Sequence, residues 1–177
     1  GLTDDGRSAA CELGRAMSAI PIGTVVSSPV HRCIDTARHI MKGHGSADPV
    51  TGPRLHIDDT LLQAFIADGH LAEREYTRND PQRVILDHLA GHDIPGLVPM
   101  RTGASRLLDF SVARLKERSL TLFITHDSIL MPFRTHLCNA RYATDQWQPF
   151  LSGALIHRTD ECLTVDGTPV MVACGYP

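Results

Sequence analysis

Thr24-Val25-Val26-Ser27-Ser28-Pro29-Val30-His31-Arg32-Cys33-Ile34-Asp35-Thr36-Ala37 is the stretch on which the fold turns. A β-branched run reads as a strand and ends in two serines and a proline. A helix comes next: Ser28 can cap it, Pro29 suits its first position, and Val30, Ile34, Ala37 and Met41 recur at helical spacing. A helix N-terminus offers unpaired N–H groups and a partial positive charge, which suits an anion. Arg32 adds a planar fork of donors that matches phosphate oxygens. A capped helix with a surface arginine is the plainer reading of the same residues.

A second junction has the same build. Ser119-Leu120-Thr121-Leu122-Phe123-Ile124-Thr125-His126-Asp127-Ser128 is an apolar strand running into cap-forming residues, with a new helical pattern beyond it. Ligands of α/β proteins bind outside the carboxyl ends of parallel strands. Two such strands would bring Arg32 and the His126-Asp127 pair to one rim, which is equipment for phosphoryl transfer. A lone histidine is more often a satisfied structural residue, and that reading of His126 stays open.

The spacing elsewhere supports an α/β chain. Thr3 caps a first helix with Asp4 and Asp5 in its first turn, and Ala10, Leu13, Met17 and Ile20 face inward. Further helices are predicted over about 60–68, 81–89 and 104–117. One more comes after the His126 strand, with Pro132 in its first turn. Residues 154–157, 162–165 and 170–173 read as strands, with Asp166-Gly167 as a hairpin turn. The fold class expected is a three-layer α/β/α sandwich with a mostly parallel central sheet, in a single domain over 1–177.

The ordered motifs resemble the histidine phosphatase superfamily (phosphoglycerate mutase-like). Leu2-Thr3-Asp4-Asp5-Gly6-Arg7 is similar to its "LTxxGRxQA" segment. Ser28 to Ala37 is similar to "SPLxRAxQTA", and Thr125-His126-Asp127 to the second-histidine motif, in a form like that of the acid phosphatases. Trp147 to Gly153 and the terminal strands match more weakly. The resemblance runs from Leu2 to about Gly175. The family's first strand ends in Arg-His-Gly, whose histidine is the nucleophile, and no Arg-His-Gly occurs among the 177 residues. The resemblance places that strand upstream of Gly1, so the chain is expected to be a truncated view lacking the strand at the sheet's centre.

What the resemblance implies is a phosphate-monoester hydrolase working through a phosphohistidine. Arg32 would stabilise the phosphoryl oxygens, His126 would hydrogen-bond them, and Asp127 would protonate the leaving group, with Glu75 as runner-up. Ser28, His31, Arg74 and Arg78 are the expected substrate-binding residues. In the family, the region between the arginine helix and the second histidine forms a lid. Here it carries Arg54, His56, Asp58, Asp59, Glu73 and His88 as well, and a solvated polar face accounts for most of them. His88 and His92, at i and i+4, lack a third ligand, so no metal is assigned, and the chemistry requires no cofactor.

Two other readings are an inactive binding module lacking the nucleophile and a phosphoglycerate-type mutase, although no long mutase lid is visible. A serine enzyme using Ser27 or Ser28 lacks the Gly-x-Ser-x-Gly elbow. The net charge of −3 carries no nucleic-acid footprint. No apolar run is long enough to span a bilayer, so no membrane partner is expected. Five scattered cysteines (Cys11, Cys33, Cys138, Cys162, Cys174) without CxxC spacing suit a reduced, cytoplasmic protein. The partner expected is a small-molecule phosphate ester, and a homodimer is compatible with the reading.

Overall fold

The computed structural model describes residues 1–48 and 50–170. The chain divides into two compact units. The first comprises Gly1–Ala64 and Leu107–His126, and the second Phe65–Arg106 with the described residues from Asp127 on. The expected parallel α/β architecture is present.

The first unit is built on a parallel sheet of β1 (Ile22–Ser27), β2 (Leu55–Ile57) and β3 (Leu120–Ile124), in the order β2-β1-β3. Val25 and Val26 of β1 are almost wholly buried, as a strand with a neighbour on each side and cover on both faces should be. Val25, Ala37 and Met41 cluster with Leu55, Leu122 and Ile124, so α2 (His31–His44) covers one face. Phe123 points the opposite way by the two-residue alternation of a strand. It meets Phe110, in the last turns of α6 (Met100–Val112), with ring centroids 5.9 Å apart.

The helix α1 (Asp4–Ala16) packs against α2. Thr3 caps α1 by accepting from the Gly6 amide at 3.1 Å. The two helices touch backbone to backbone: a Cβ on Gly14 would lie 2.1 Å from the Ile40 carbonyl oxygen, and one on Gly43 1.9 Å from that of Cys11. Close crossing therefore fixes α2, and with it Arg32. Ala10 and Gly14 are buried on α1, whereas Ile20 is half exposed, beyond the helix end, and not in the core.

Several expectations are corrected. Ser28 does not cap α2: the N-cap is Val30, with no side-chain acceptor, because the Ser28 hydroxyl is engaged by His126. The strand β2 was not anticipated; its three residues are held by the ladder to β1, with Val25 opposite Leu55 and Ser27 opposite Ile57. The helix expected over 60–68 is only α3 (Thr60–Gln63), because the backbone of Phe65 and Ala67 bonds to Val98 and Gly96 instead. Asp68 then caps an unanticipated helix, α4 (Gly69–Arg78), accepting from the His70 and Leu71 amides. The helix expected over 104–117 lies at Met100–Val112.

In the second unit, α5 (Pro81–Leu89) occupies the anticipated span, with Asp80 capping the Gln82 amide and Pro81 at the first position. It packs on α7 (Asp127–Cys138). Pro132 lies within α7, one turn later than expected. Burial of Ile129, Met131, Pro132 and Phe133 offsets the hydrogen bond a proline cannot donate. The chain continues into an antiparallel sheet of β4 (Ile156–Arg158), β5 (Leu163–Val165) and β6 (Thr168–Pro169). Asp166 and Gly167 have φ of 49° and 77°, the positive pair that a two-residue hairpin turn needs. Of the strand expected over 170–173, residues 171–173 lie outside the described residues, as does Cys174.

Candidate active site

The parallel register brings the ends of β1, β2 and β3 level, with Ser27 opposite both Ile57 and Ile124. The residues just past each strand end therefore share one rim: Ser28 after β1, Asp58 after β2, and Thr125-His126 after β3. The Ser28 amide donates to the Ile124 carbonyl at 2.9 Å, and the Asp58 amide to the Ser27 carbonyl at 3.0 Å. Thr125 Oγ1 donates to the Leu61 carbonyl at 2.6 Å, anchoring the segment that carries His126.

Arg32 and His126, 94 residues apart in the chain, meet here. Arg32 Nη2 lies 3.0 Å from His126 Nδ1. Ser28 Oγ lies 2.7 Å from His126 Nε2, and Cys33 Sγ lies 3.7–3.8 Å from both ring nitrogens. His126, Ser28 and Cys33 are buried, whereas Arg32 is exposed on the first turn of α2 and open to a ligand. That first turn has no side-chain cap; the Cys33 amide donates to the Val30 carbonyl at 2.9 Å, and the His31 and Arg32 amides ahead of it are placed for an anion. Asp58 faces away from an anion's needs: it accepts from the Thr60 amide at 3.0 Å and pairs with Arg114 at 3.4 Å. His31 is exposed at the start of α2.

The remaining predicted residues belong to the second unit. Asp127 opens α7, where the helix dipole favours an acid. Its Oδ1 accepts from the Ser128 amide and its Oδ2 from Trp147 Nε1, each at 2.8 Å. Tyr76 is part of the same environment: burial, and then the Asp127 charge, push its phenol above the ordinary range. Glu75 accepts from the Asn79 side chain at 3.1 Å on α4. Arg74 and Arg78 line a shallow exposed depression on α4 with His70, Glu73 and Thr77. Sequence reasoning missed the Trp147–Asp127 bond and the Cys33–His126 contact. The first could have been sought at the chain's single tryptophan, and no local signal marks the second.

The i, i+4 histidines do not converge. Buried His88 donates from Nε2 to the Val98 carbonyl at 3.0 Å and stacks edge-on against Phe65, while His92 lies near Asp87. Burial holds the His88 imidazole below its ordinary range. Among the described residues no group of three or more histidine, cysteine, aspartate or glutamate side chains is placed to hold a metal ion. Nor is any helix among them long and apolar enough to cross a membrane.

A rim with an arginine on a helix N-terminus beside a histidine at a parallel strand end carries donors suited to an anion. Residues 1–58 match the family model described as histidine phosphatase superfamily (branch 1), so the resemblance in the opening segments is shown over that span. The fold is similar to that of several solved structures. YhfR of Bacillus stearothermophilus is 20% identical over 94% of this chain and 84% of its own, with a TM-score of 0.58. A mycobacterial glucosyl-3-phosphoglycerate phosphatase in complex with VO3 is 16% identical over 93% and 84%, with a TM-score of 0.55. A phosphoglycerate mutase from Bacillus anthracis is 16% identical over 97% and 80%, with a TM-score of 0.53. At such identities the likeness is one of fold. No curated protein matches the sequence.

Proposed function

We propose that the chain belongs to a phosphatase that hydrolyses a small-molecule phosphate monoester through a phosphohistidine. The observation that carries this reading is the meeting of Arg32 and His126, 3.0 Å apart, at the uncapped N-terminus of α2. Phosphoryl transfer asks mainly for positioning and for positive charge on the equatorial oxygens. Arg32, the α2 amides and His126 supply both, and Asp127 supplies the proton for the leaving alkoxide.

The nucleophile is proposed to come from a strand preceding Gly1, and β3 supports a place for it. Leu120, Leu122, Phe123 and Ile124 form the kind of apolar run found in strands flanked on both sides. Yet all four are only half buried, and among the described residues β3 pairs with β1 alone. An apolar edge of this kind invites a further strand, and one added there would end beside His126. The fold-level likeness to a glucosyl-3-phosphoglycerate phosphatase and a phosphoglycerate mutase agrees with a small phosphorylated substrate. A reduced, cytoplasmic setting is part of the same proposal.

The test is p-nitrophenyl phosphate hydrolysis by the full-length protein beside its Arg32→Ala and His126→Ala variants. Turnover in the parent, with losses of about a hundredfold or more in each variant, is expected for oxyanion-stabilising groups. Equal turnover in all three would remove the reading.

A further inference from the structure

The two nitrogens of His126 face groups of opposite hydrogen-bonding character. A guanidinium has donors and no acceptor, so the 3.0 Å contact from Arg32 Nη2 makes Nδ1 the acceptor. The proton of the neutral ring is then on Nε2, which faces the Ser28 hydroxyl at 2.7 Å. Ser28 is wholly buried, and its Oγ has one further, longer neighbour, the Val30 amide at 3.5 Å. The serine that could have capped α2 is thus committed to the imidazole instead. Cys33 Sγ lies against the ring while close to the Thr125 carbonyl at 3.6 Å, so the ring is bounded on that side too.

We propose that Ser28 is a positioning residue: by accepting from Nε2–H it fixes the tautomer and orientation of His126, so that Nδ1 faces the ligand of Arg32. The proposal rests on the phosphate reading for the nature of that ligand, and on the hydrogen-bond geometry for the rest. It separates the roles of two neighbours. Arg32, exposed, binds the anion directly, whereas Ser28, buried, acts on it only through the imidazole. When phosphate enters, Arg32 turns its donors to the oxygens and Nδ1 is released. Inorganic phosphate entering as the dihydrogen ion gives one proton to Nδ1 and stays bound as hydrogen phosphate, and the resulting Nδ1–H donates back to the phosphoryl oxygen. Nε2–H stays on Ser28 throughout.

The ¹⁵N resonances of the His126 ring, in full-length protein labelled on histidine, read this directly. The wild type without phosphate is expected to show the neutral Nε2–H tautomer, and saturation with inorganic phosphate to protonate Nδ1 as well. Ser28→Ala is expected to give a mixture of tautomers and about tenfold weaker phosphate binding by calorimetry, the loss of one hydrogen bond to a charged ring. Ser28→Thr, which keeps the acceptor, is expected to restore the wild-type tautomer. An Nδ1–H tautomer in the wild type would overturn the proposal. So would a folded Ser28→Ala protein with unchanged ring resonances and phosphate affinity. A wild type that binds no phosphate would remove the phosphate reading instead, and the tautomer shift in Ser28→Ala would then decide the role of Ser28 by itself.

Discussion

Replacing Arg32 with alanine separates binding from stability, and the structure sets the size of both effects. Arg32 is exposed on the first turn of α2, and its side chain bonds to His126 Nδ1. Losing the bond to the buried His126 ring should cost about 0.5–1.5 kcal/mol, so the thermal midpoint should fall by about 1–6 °C. Phosphate affinity should respond far more. A unit charge about 4 Å from a phosphoryl oxygen is worth about 4 kcal/mol at an effective dielectric near 20, before desolvation is subtracted. Hydrogen bonds to charged groups retain about 1.5–3 kcal/mol net, and each 1.4 kcal/mol is about tenfold. The Kd for inorganic phosphate, measured by calorimetry on the full-length protein, should therefore rise by about ten- to 150-fold. Arg32→Lys should fall between, because an ammonium keeps the charge and loses the planar fork. An Arg32→Ala protein that binds phosphate as the parent does would refute the assignment of this rim as the anion site.

Other parts of the molecule give further expected outcomes. Asp127→Asn should slow p-nitrophenyl phosphate cleavage at least about tenfold while leaving phosphate binding intact, since general-acid help contributes about 10²–10⁴-fold; an unchanged rate in a folded protein would exclude Asp127 as the proton donor. Gly43→Ala should destabilise the protein by about 1–3 kcal/mol in urea unfolding, because the new methyl meets the Cys11 carbonyl and overpacking outweighs the better helix propensity of alanine. Buried His88 should make the protein acid-sensitive. Its folded-state pKa lies below that of the unfolded chain, so its stabilising share is present above about pH 6.5 and is lost as pH falls through the folded value. The slope of unfolding free energy there is at most about 1.4 kcal/mol per pH unit, and His88→Gln should flatten it. Identical pH profiles for the two proteins would contradict the burial argument.

Local chemistry made part of the fold readable. Thr3, the helix expected over 81–89 and the Asp166-Gly167 turn rest on neighbours a few residues away, and all three stand where their sequence signals put them. The strand β2 has no such signal: two of its three residues are exposed, and only pairing with β1 makes it a strand. Gly69 disguised the start of α4, whose cap is the preceding Asp68. Pro132 was placed by a local rule that core packing overrode.

The site shows the same division. Arg32 and His126 were legible because each comes after an apolar strand, and parallel strands deliver their carboxyl ends to one rim. Ser28 was misplaced because helix capping competes with a histidine 98 positions away, a partner no local pattern encodes. Glu75, Arg74 and Arg78 stand on α4, a helix that was not anticipated, so their geometry was beyond reach of the sequence.

The central claim is tested most directly by trapping the covalent intermediate. Full-length protein mixed with a ³²P-labelled phosphate monoester and quenched within milliseconds should carry label that is acid-labile, stable in alkali and located on a histidine. Arg32→Ala should reduce its yield. Turnover of the ester with label absent from histidine would contradict the account.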